Sequence, residues 1–459
     1  MKNDLIRRVA GFSILLFVSL TTFSVICGQE KDPKPKLTGD AKRAREYALG
    51  MLDEMESILK EHYYDPKFKG IDLKARIEAA KARVKTLQYN WQMYRVLVQV
   101  LMEFNDSHTR MNLPPRSDHF QYGVGWQMIG EECFVVSVKG DSDAAKKGVE
   151  VGDQVLSIGK FTPTRNDLWK INYLIFRLAP EKTIDLKIKK PDGTEKEVTI
   201  EAKTMTDKEY AAAQKARKEK DLDKYEPFRC KEVNKQLIAC RLESFVVERS
   251  DIDKMMKAVS AYPKMILDLR GNGGGYVVIE QYLLSHFFDR EVKIADFVTK
   301  TKSEVRVTKL VDPAKRYKGE VAVLIDSGSA SASEITAKVL QLEKRAKIYG
   351  DYSSGSVMTS IRVPFRSVMS ALADMAFIMV SMSVTIGDVI MRDGTRLENT
   401  GVTPDAVLQP MGIALKMKAD AVLAYAAIQL GAQLSPEDAG KFYFVTEKDE
   451  PSDDAEPEK

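Results

Sequence analysis

A serine between a buried strand and a helix can act as a nucleophile, and Val321-Ala-Val-Leu-Ile-Asp-Ser-Gly-Ser-Ala-Ser331-Ala-Ser-Glu-Ile335 spells such a turn. The apolar run from Val321 to Ile325 reads as a strand covered on both faces, and Ile335, Val339, Leu340 and Leu342 recur at helical spacing just beyond it. Ser331 therefore stands where the unpaired N–H groups of a first helical turn would stabilise an oxyanion forming beside it. The same residues would also make a plain serine-rich helix cap. A second run, Leu267-Asp-Leu-Arg-Gly-Asn-Gly-Gly-Gly275, follows an apolar strand and precedes the helical pattern that starts at Val277. Its glycines let backbone N–H groups come close to a ligand, either a phosphate or an oxyanion. Because it lacks both the Gly-Lys-Ser/Thr ending of a nucleotide loop and the G-x-G-x-x-G spacing of a dinucleotide fold, the oxyanion is preferred. The third group is His108 in Asn105-Asp-Ser-His-Thr-Arg110, a base suited to neutral pH that, standing alone, reads as an ordinary surface histidine.

These groups need a scaffold, and 459 residues with 44% hydrophobic content supply enough for two or three domains. Residues 1–28 read as a secretory signal peptide: Lys2, Arg7 and Arg8 precede an apolar stretch from Phe12 to Val25, with cleavage expected near Gly28. Membrane association is expected only if that segment stays uncleaved. Losing it, with Lys2, Arg7, Arg8 and Asp4, removes +2 of the formal +4 charge, and nothing suggests a nucleic-acid partner. Of the cysteines that follow, Cys230 and Cys240 flank a plausible hairpin, and an exported protein permits a disulfide between them. No cysteine spacing suggests a metal site.

Along the chain, helical patterns cover Ala41 to Lys60, Ile71 to Leu87 and Trp91 to Phe104, so residues 38–112 read as a helical domain. Short β-like runs then alternate with turns: Cys133 to Val138, Gln154 to Ile158, Ile184 to Ile188 and Glu197 to Ile200. The segment 118–203 resembles a PDZ domain. The resemblance rests on Tyr122-Gly-Val-Gly-Trp126 and on Ala144-Ala-Lys-Lys-Gly-Val-Glu-Val-Gly-Asp-Gln-Val-Leu-Ser-Ile158. It implies that the N–H groups around Tyr122, Gly123, Val124 and Gly125 receive a peptide's terminal carboxylate while the peptide adds as a strand. Residues 204–228 read as a charged helical linker and 229–412 as an α/β core, with strands at Leu237 to Leu242, Met265 to Leu269, Val321 to Ile325 and Ala376 to Ser383. A helical segment, 413–446, and an acidic, disordered tail, 447–459, complete the expectation.

Four motifs in this order, Asp106-Ser-His-Thr109, Asp268-Leu-Arg-Gly-Asn-Gly-Gly-Gly275, Gly328-Ser-Ala-Ser-Ala-Ser-Glu334 and Glu398-Asn-Thr-Gly-Val-Thr-Pro-Asp405, resemble those of the carboxyl-terminal processing (tail-specific) proteases and their tricorn-like relatives. The resemblance covers nearly everything from Leu37 to Pro410. It implies a ClpP/crotonase-like α/β serine peptidase core with an N-terminal helical domain and an inserted β-rich PDZ-like domain. It makes Ser331 the nucleophile and assigns the oxyanion hole to the N–H of Ala332 with Gly274 or Gly275. The better-known members use a lysine base where this chain has Ser356. A serine hydroxyl cannot serve there. The tricorn-like branch instead uses a serine–histidine pair with a glutamate, which implies His108 as base, Ser107 beside it, and Glu398 as orienting group, with Asp393 as the other option. Asp268 and Asp405 read as structural, and His62, His119 and His286 as ordinary. The expected function is an exported, periplasmic or extracellular serine endopeptidase acting on unfolded or C-terminal polypeptide, without cofactor. Its rival is an inactive pseudo-protease that only binds peptides. Whether it forms a homo-oligomer is left open.

Overall fold

The computed structural model describes residues 39–113, 118–222, 226–366 and 380–442. The expected signal peptide and acidic tail lie outside the described residues. So does the start of the strand expected from Ala376.

The core is a six-stranded sheet in the order Ala406–Val407, Lys347–Gly350, Glu320–Ile325, Lys264–Asp268, Leu237–Leu242, Phe228–Asn234. All neighbours are parallel except the last pair, an antiparallel hairpin. Alternation along each strand divides the apolar residues between two helical layers. Ile238, Cys240, Met265, Leu267, Val321, Val323 and Ile325 face the helices Arg249–Val259, Val277–Ser285 and Ala332–Leu342. Leu237, Ala239, Ile266, Ala322 and Leu324 face the helix Ala421–Gln429. Cys230 and Cys240 are directly opposed in the hairpin and form a disulfide.

Three parallel strands, ending at Asp268, Ile325 and Gly350, release the glycine run, the Ser331 turn and the Ser356 segment at one edge of the sheet. The carboxyl ends of parallel strands are where open α/β sheets place their ligands.

A second sheet is built on the strand Ser381–Met391, which pairs with Arg110–Asn112, Met358–Pro364 and Lys293–Thr299. This strand lies farther along the chain than the apolar run from Ala376 suggests. Its polar residues Thr385 and Asp388 are buried against partners, so a periodicity reading misses them. The pairing with Arg110–Asn112 fixes the position of Ser107 and His108. Helices Gly39–His62, Leu73–Val84 and Asn90–Met102 share one apolar core with Met111, Met382 and Val384, so they pack onto the same sheet.

Between these parts, Val124–Ile129, Glu132–Val138, Gln154–Ile158, Thr183–Lys189 and Glu195–Glu201 form a five-stranded antiparallel sheet with Val124–Ile129 at one edge. Asp118–Gln121 pairs with Lys203–Thr206 and closes the base of this insert, so the expected linker begins as a strand before its helix, Asp207–Leu222.

Below the glycine run, the buried Arg270 guanidinium bridges Asp268 at 2.7 Å and Asp420 at 2.7 and 2.8 Å, pinning the end of a core strand to the helix that follows Asp420. Removing one partner of a buried ion pair strands the other charges. Arg270→Ala is expected to lower the unfolding free energy by about 3–5 kcal/mol in urea denaturation. A loss under about 1 kcal/mol, the range of an exposed pair, would contradict this role.

Candidate active site

Ser331 precedes the helix Ala332–Leu342 with φ of +55°, a conformation that non-glycine residues adopt only when their surroundings enforce it. Two acceptors hold its N–H: the carbonyl of Ser356 at 3.0 Å and Glu334 Oε2 at 3.0 Å. The glycine run is strapped alongside, since the Ala330 N–H and the Ser333 hydroxyl both donate to the Asn272 carbonyl. Gly274, at φ of +95°, passes so close that a Cβ there would sit 2.7 Å from Ser331 Cβ and 3.0 Å from Ala332 N. Its own N–H donates to Asn272 Oδ1 at 2.9 Å. Among the described residues the N–H groups of Ala332 and Gly275 have no acceptor, which leaves these two for an oxyanion.

Ser107 and His108 occupy a turn built around the buried Asp106. Asp106 Oδ1 accepts the N–H groups of His108 and Thr109 and the hydroxyl of Thr385, while Oδ2 accepts the hydroxyl of Tyr63. From this turn, Ser107 donates its N–H to Glu398 Oε1 at 2.8 Å, and its hydroxyl lies 3.0 Å from Glu398 Oε2 and 2.7 Å from His108 Nδ1. The Val357 N–H also donates to Glu398 Oε2, at 2.8 Å. An ionised carboxylate only accepts, so the single Ser107 hydroxyl proton goes to Glu398. Nδ1–H of His108 must then donate to Ser107 Oγ, which leaves Nε2 as the basic nitrogen. Burial pushes the Glu398 carboxyl above its ordinary value, helped by the Asp106 charge and opposed by the N–H groups of Ser107 and Val357.

One bonded network therefore joins His108, Ser107, Glu398 and Val357 to Ser356, whose carbonyl holds Ser331. Asp393 is elsewhere engaged, with Thr395 and Lys338. Asp405 accepts the Ile348 N–H and ties the edge strand to the core. Ser356 Oγ lies 2.9 Å from Ser354 Oγ. His286 is buried with Nδ1 near the Tyr282 carbonyl, and His119 pairs with Asp207.

In the insert, the buried Tyr122 donates its hydroxyl to the Glu181 carbonyl, and Gly123, at φ of +70°, folds against Ser142. Val124 and Gly125 begin the edge strand, opposite Val138 and Ser137. That strand docks on the core: Gln127 donates to Asp326 Oδ2 and Ser327 Oγ, Ser327 donates to the Met128 carbonyl, and the Gly130 N–H donates to Asp351.

Sequence reasoning passed over Asp106 as a hub and Glu334 altogether. Both carried a signal. Glu334 stands three residues after Ser331 at capping-box spacing, and Asp106 before Ser-His-Thr fits an Asx turn. Among the described residues no cluster of three or more His, Cys, Asp or Glu side chains is spaced to hold a metal ion.

Residues 238–408 match Peptidase family S41. The chain is similar to the carboxy-terminal processing protease CtpB of Bacillus subtilis, 24% identical over 79% of this chain and 71% of that protein. It is also similar to the tail-specific protease of Haemophilus influenzae, 25% identical over 57% of this chain and 38% of that protein. The crystal structure of mature CPAF shares the fold, with a TM-score of 0.62, 16% identity, and coverage of 81% of this chain and 94% of that one.

Two substitutions read this geometry through the rate at which a fluorophosphonate labels Ser331. Gly274→Ala places a methyl group against Ser331 and the Ala330 carbonyl, and labelling is expected to fall about 100-fold, the scale of an ångström's misplacement. Glu398→Gln turns one acceptor into a donor and disfavours the productive histidine tautomer, and a loss of about 10^4-fold is expected. Because the relay needs ionised Glu398 and burial raises its pKa, wild-type labelling should decline on acidification at a higher pH than an ordinary glutamate at about 4.3 would set. Labelling by Glu398→Gln at the wild-type rate would remove Glu398 from the relay.

Proposed function

From the match of residues 238–408 to Peptidase family S41, we propose that this chain is an exported serine endopeptidase of that family that cuts unfolded polypeptide with Ser331 as nucleophile and His108 as base. The carrying observation is the Glu398–Ser107–His108 relay, tied through Val357 and Ser356 to the backbone of Ser331.

In this reading His108 Nε2 takes the Ser331 hydroxyl proton as Oγ attacks the scissile carbonyl carbon. Burial of Glu398 strengthens its interaction with the imidazolium that forms, relayed by the Ser107 hydroxyl. The carbonyl oxygen becomes an oxyanion and receives the N–H groups of Ala332 and Gly275. Collapse breaks the C–N bond, and His108 gives its proton to the departing amine. Water then loses a proton to His108, attacks the acyl-serine and releases the new C-terminus, restoring Ser331.

The insert supports peptide capture. Val124–Ile129 is an edge strand entered from the turn at Tyr122 and Gly123, and its far end is bonded to Asp326 and Ser327, in the loop that leads to Ser331. A PDZ-like domain used this way would add the substrate as a strand and direct it toward the nucleophile. The Cys230–Cys240 disulfide supports an oxidising compartment. Ser356, in place of the expected lysine, is what favours a peptide-binding module without turnover.

The two readings separate on labelling. Wild type should take the fluorophosphonate at Ser331 and cut an unfolded protein, and Ser331→Ala and His108→Ala should do neither. If purified wild type neither labels nor cuts, the binding-module reading replaces the enzyme. If His108→Ala keeps its activity, a different base serves Ser331.

A further inference from the structure

The mechanism leaves one ionisable group beside the nucleophile unused. Glu334 is fully buried, yet it has four donors. Oε2 accepts the N–H groups of Ser331 at 3.0 Å and Ser356 at 2.9 Å. Oε1 accepts the Ser353 hydroxyl at 2.6 Å and the Gly355 N–H at 2.8 Å. The donors come from two segments, and a third is joined through them: Ser353 Oγ accepts the Val402 N–H, and the Gly355 carbonyl accepts the Asn399 N–H, just after Glu398.

This carboxylate thus stands where the nucleophile turn, the segment in place of the expected lysine, and the turn bearing Glu398 meet. Every group facing it is a neutral N–H or O–H, and the connected charged group is Glu398, held by the neighbouring Val357 N–H. Two ionised oxygens can accept four such bonds. A carboxylic acid or an amide turns one oxygen into a donor, so that bonds to one side fail. Because Ser331 sits in a strained conformation held by these contacts, their loss moves the nucleophile relative to the relay.

We propose that Glu334 is a positioning residue whose ionised form holds Ser331 in register with the Glu398–Ser107–His108 relay, so that reactivity requires Glu334 as well as the relay to be deprotonated. The proposal rests on the peptidase reading above. Burial pushes the Glu334 carboxyl up to about 7, against the opposing pull of its four donors, so its protonation falls within the working range of a histidine base. The sign follows: reactivity is present above that value and is lost as pH falls through it.

The test is the pH profile of fluorophosphonate labelling and of kcat and KM on an unfolded substrate, from about pH 5 to 9, the range in which histidine and Glu334 titrate. In Glu334→Gln, kcat should fall about 100-fold with KM little changed, the scale of a misplaced reacting group. Its acid limb should be shallower than the wild-type limb by one proton, because Glu334 no longer titrates. Ser353→Ala serves if Glu334→Gln does not fold. It removes one donor that favours the anion, so the wild-type limb should move to higher pH. Glu334→Gln labelling within about threefold of wild type at every pH, or a Ser353→Ala profile superimposed on wild type, would overturn the proposal, a scale far below the loss expected from misplacement. A wild type that never labels removes the peptidase reading and this inference together, whereas a reactive wild type with unchanged variants removes the inference alone.

Discussion

A carboxylate withdrawn from most of its solvent, with no cation bonded to it, must satisfy its oxygens from N–H and O–H donors, and at this site that requirement draws separate parts of the chain together. Glu398 takes its donors from Ser107, at the start of the second sheet, and from Val357, which leaves the core sheet. Those segments lie far apart in sequence, with the whole insert between them. An uncompensated carboxylate in that position would cost several kcal/mol. Bringing Ser107 and Val357 to the same oxygens removes most of that cost, and it also places His108 on the side of the core where the Ser331 turn emerges.

The surrounding architecture makes this meeting reproducible. Parallel strands ending at Asp268, Ile325 and Gly350 present their loops at one sheet edge, and the Ala330 N–H and Ser333 hydroxyl, both donating to the Asn272 carbonyl, bind the Ser331 turn to the glycine run. The other half of the site depends on the pairing of Arg110–Asn112 with Ser381–Met391 and on the Asp106 hub, which locks Thr109 and Thr385 together. The helices from Gly39 to Met102 pack on that second sheet and contribute the Tyr63 hydroxyl to Asp106. They are part of the support for His108, which gives a helical segment without catalytic side chains a physical reason to be there.

Much of this was legible in the sequence because it rests on residue types. Glycines where backbone must pass closely, a serine at a strand-to-helix boundary, cysteines flanking a hairpin and an unbroken apolar run in Val321 to Ile325 all leave marks that can be read. What was not legible rests on backbone groups. The donors on Glu334 from Gly355 and Ser356 are N–H groups, which nearly every residue carries, so nothing in the letters marks them. The same holds for Gly274. Its type shows that the chain passes closely, while only the structure shows its N–H already committed to Asn272. Only the start of the strand Ser381–Met391 falls within the run expected from Ala376 to Ser383, because Thr385 and Asp388 interrupt the apolar pattern farther along, and they do so because they are bonded inside.

The missing lysine acquires a different meaning from this arrangement. A lysine base at position 356 would have to be kept neutral by desolvation at the point where its backbone carbonyl meets the Ser331 N–H. With serine there, the segment contributes only backbone: a carbonyl to Ser331, an N–H to Glu334 and, one residue on, an N–H to Glu398. In the proposed mechanism the proton-accepting role moves to an imidazole whose ordinary pKa already lies near neutrality, so the base itself needs no large perturbation. What must be perturbed is the surroundings: Glu334 is fully buried and Glu398 half-buried, each held by neutral donors and each raised by its removal from solvent. The difficulty of keeping a base neutral becomes one of keeping two carboxylates charged, and the same donors that solve it also fix the positions of the nucleophile and the relay.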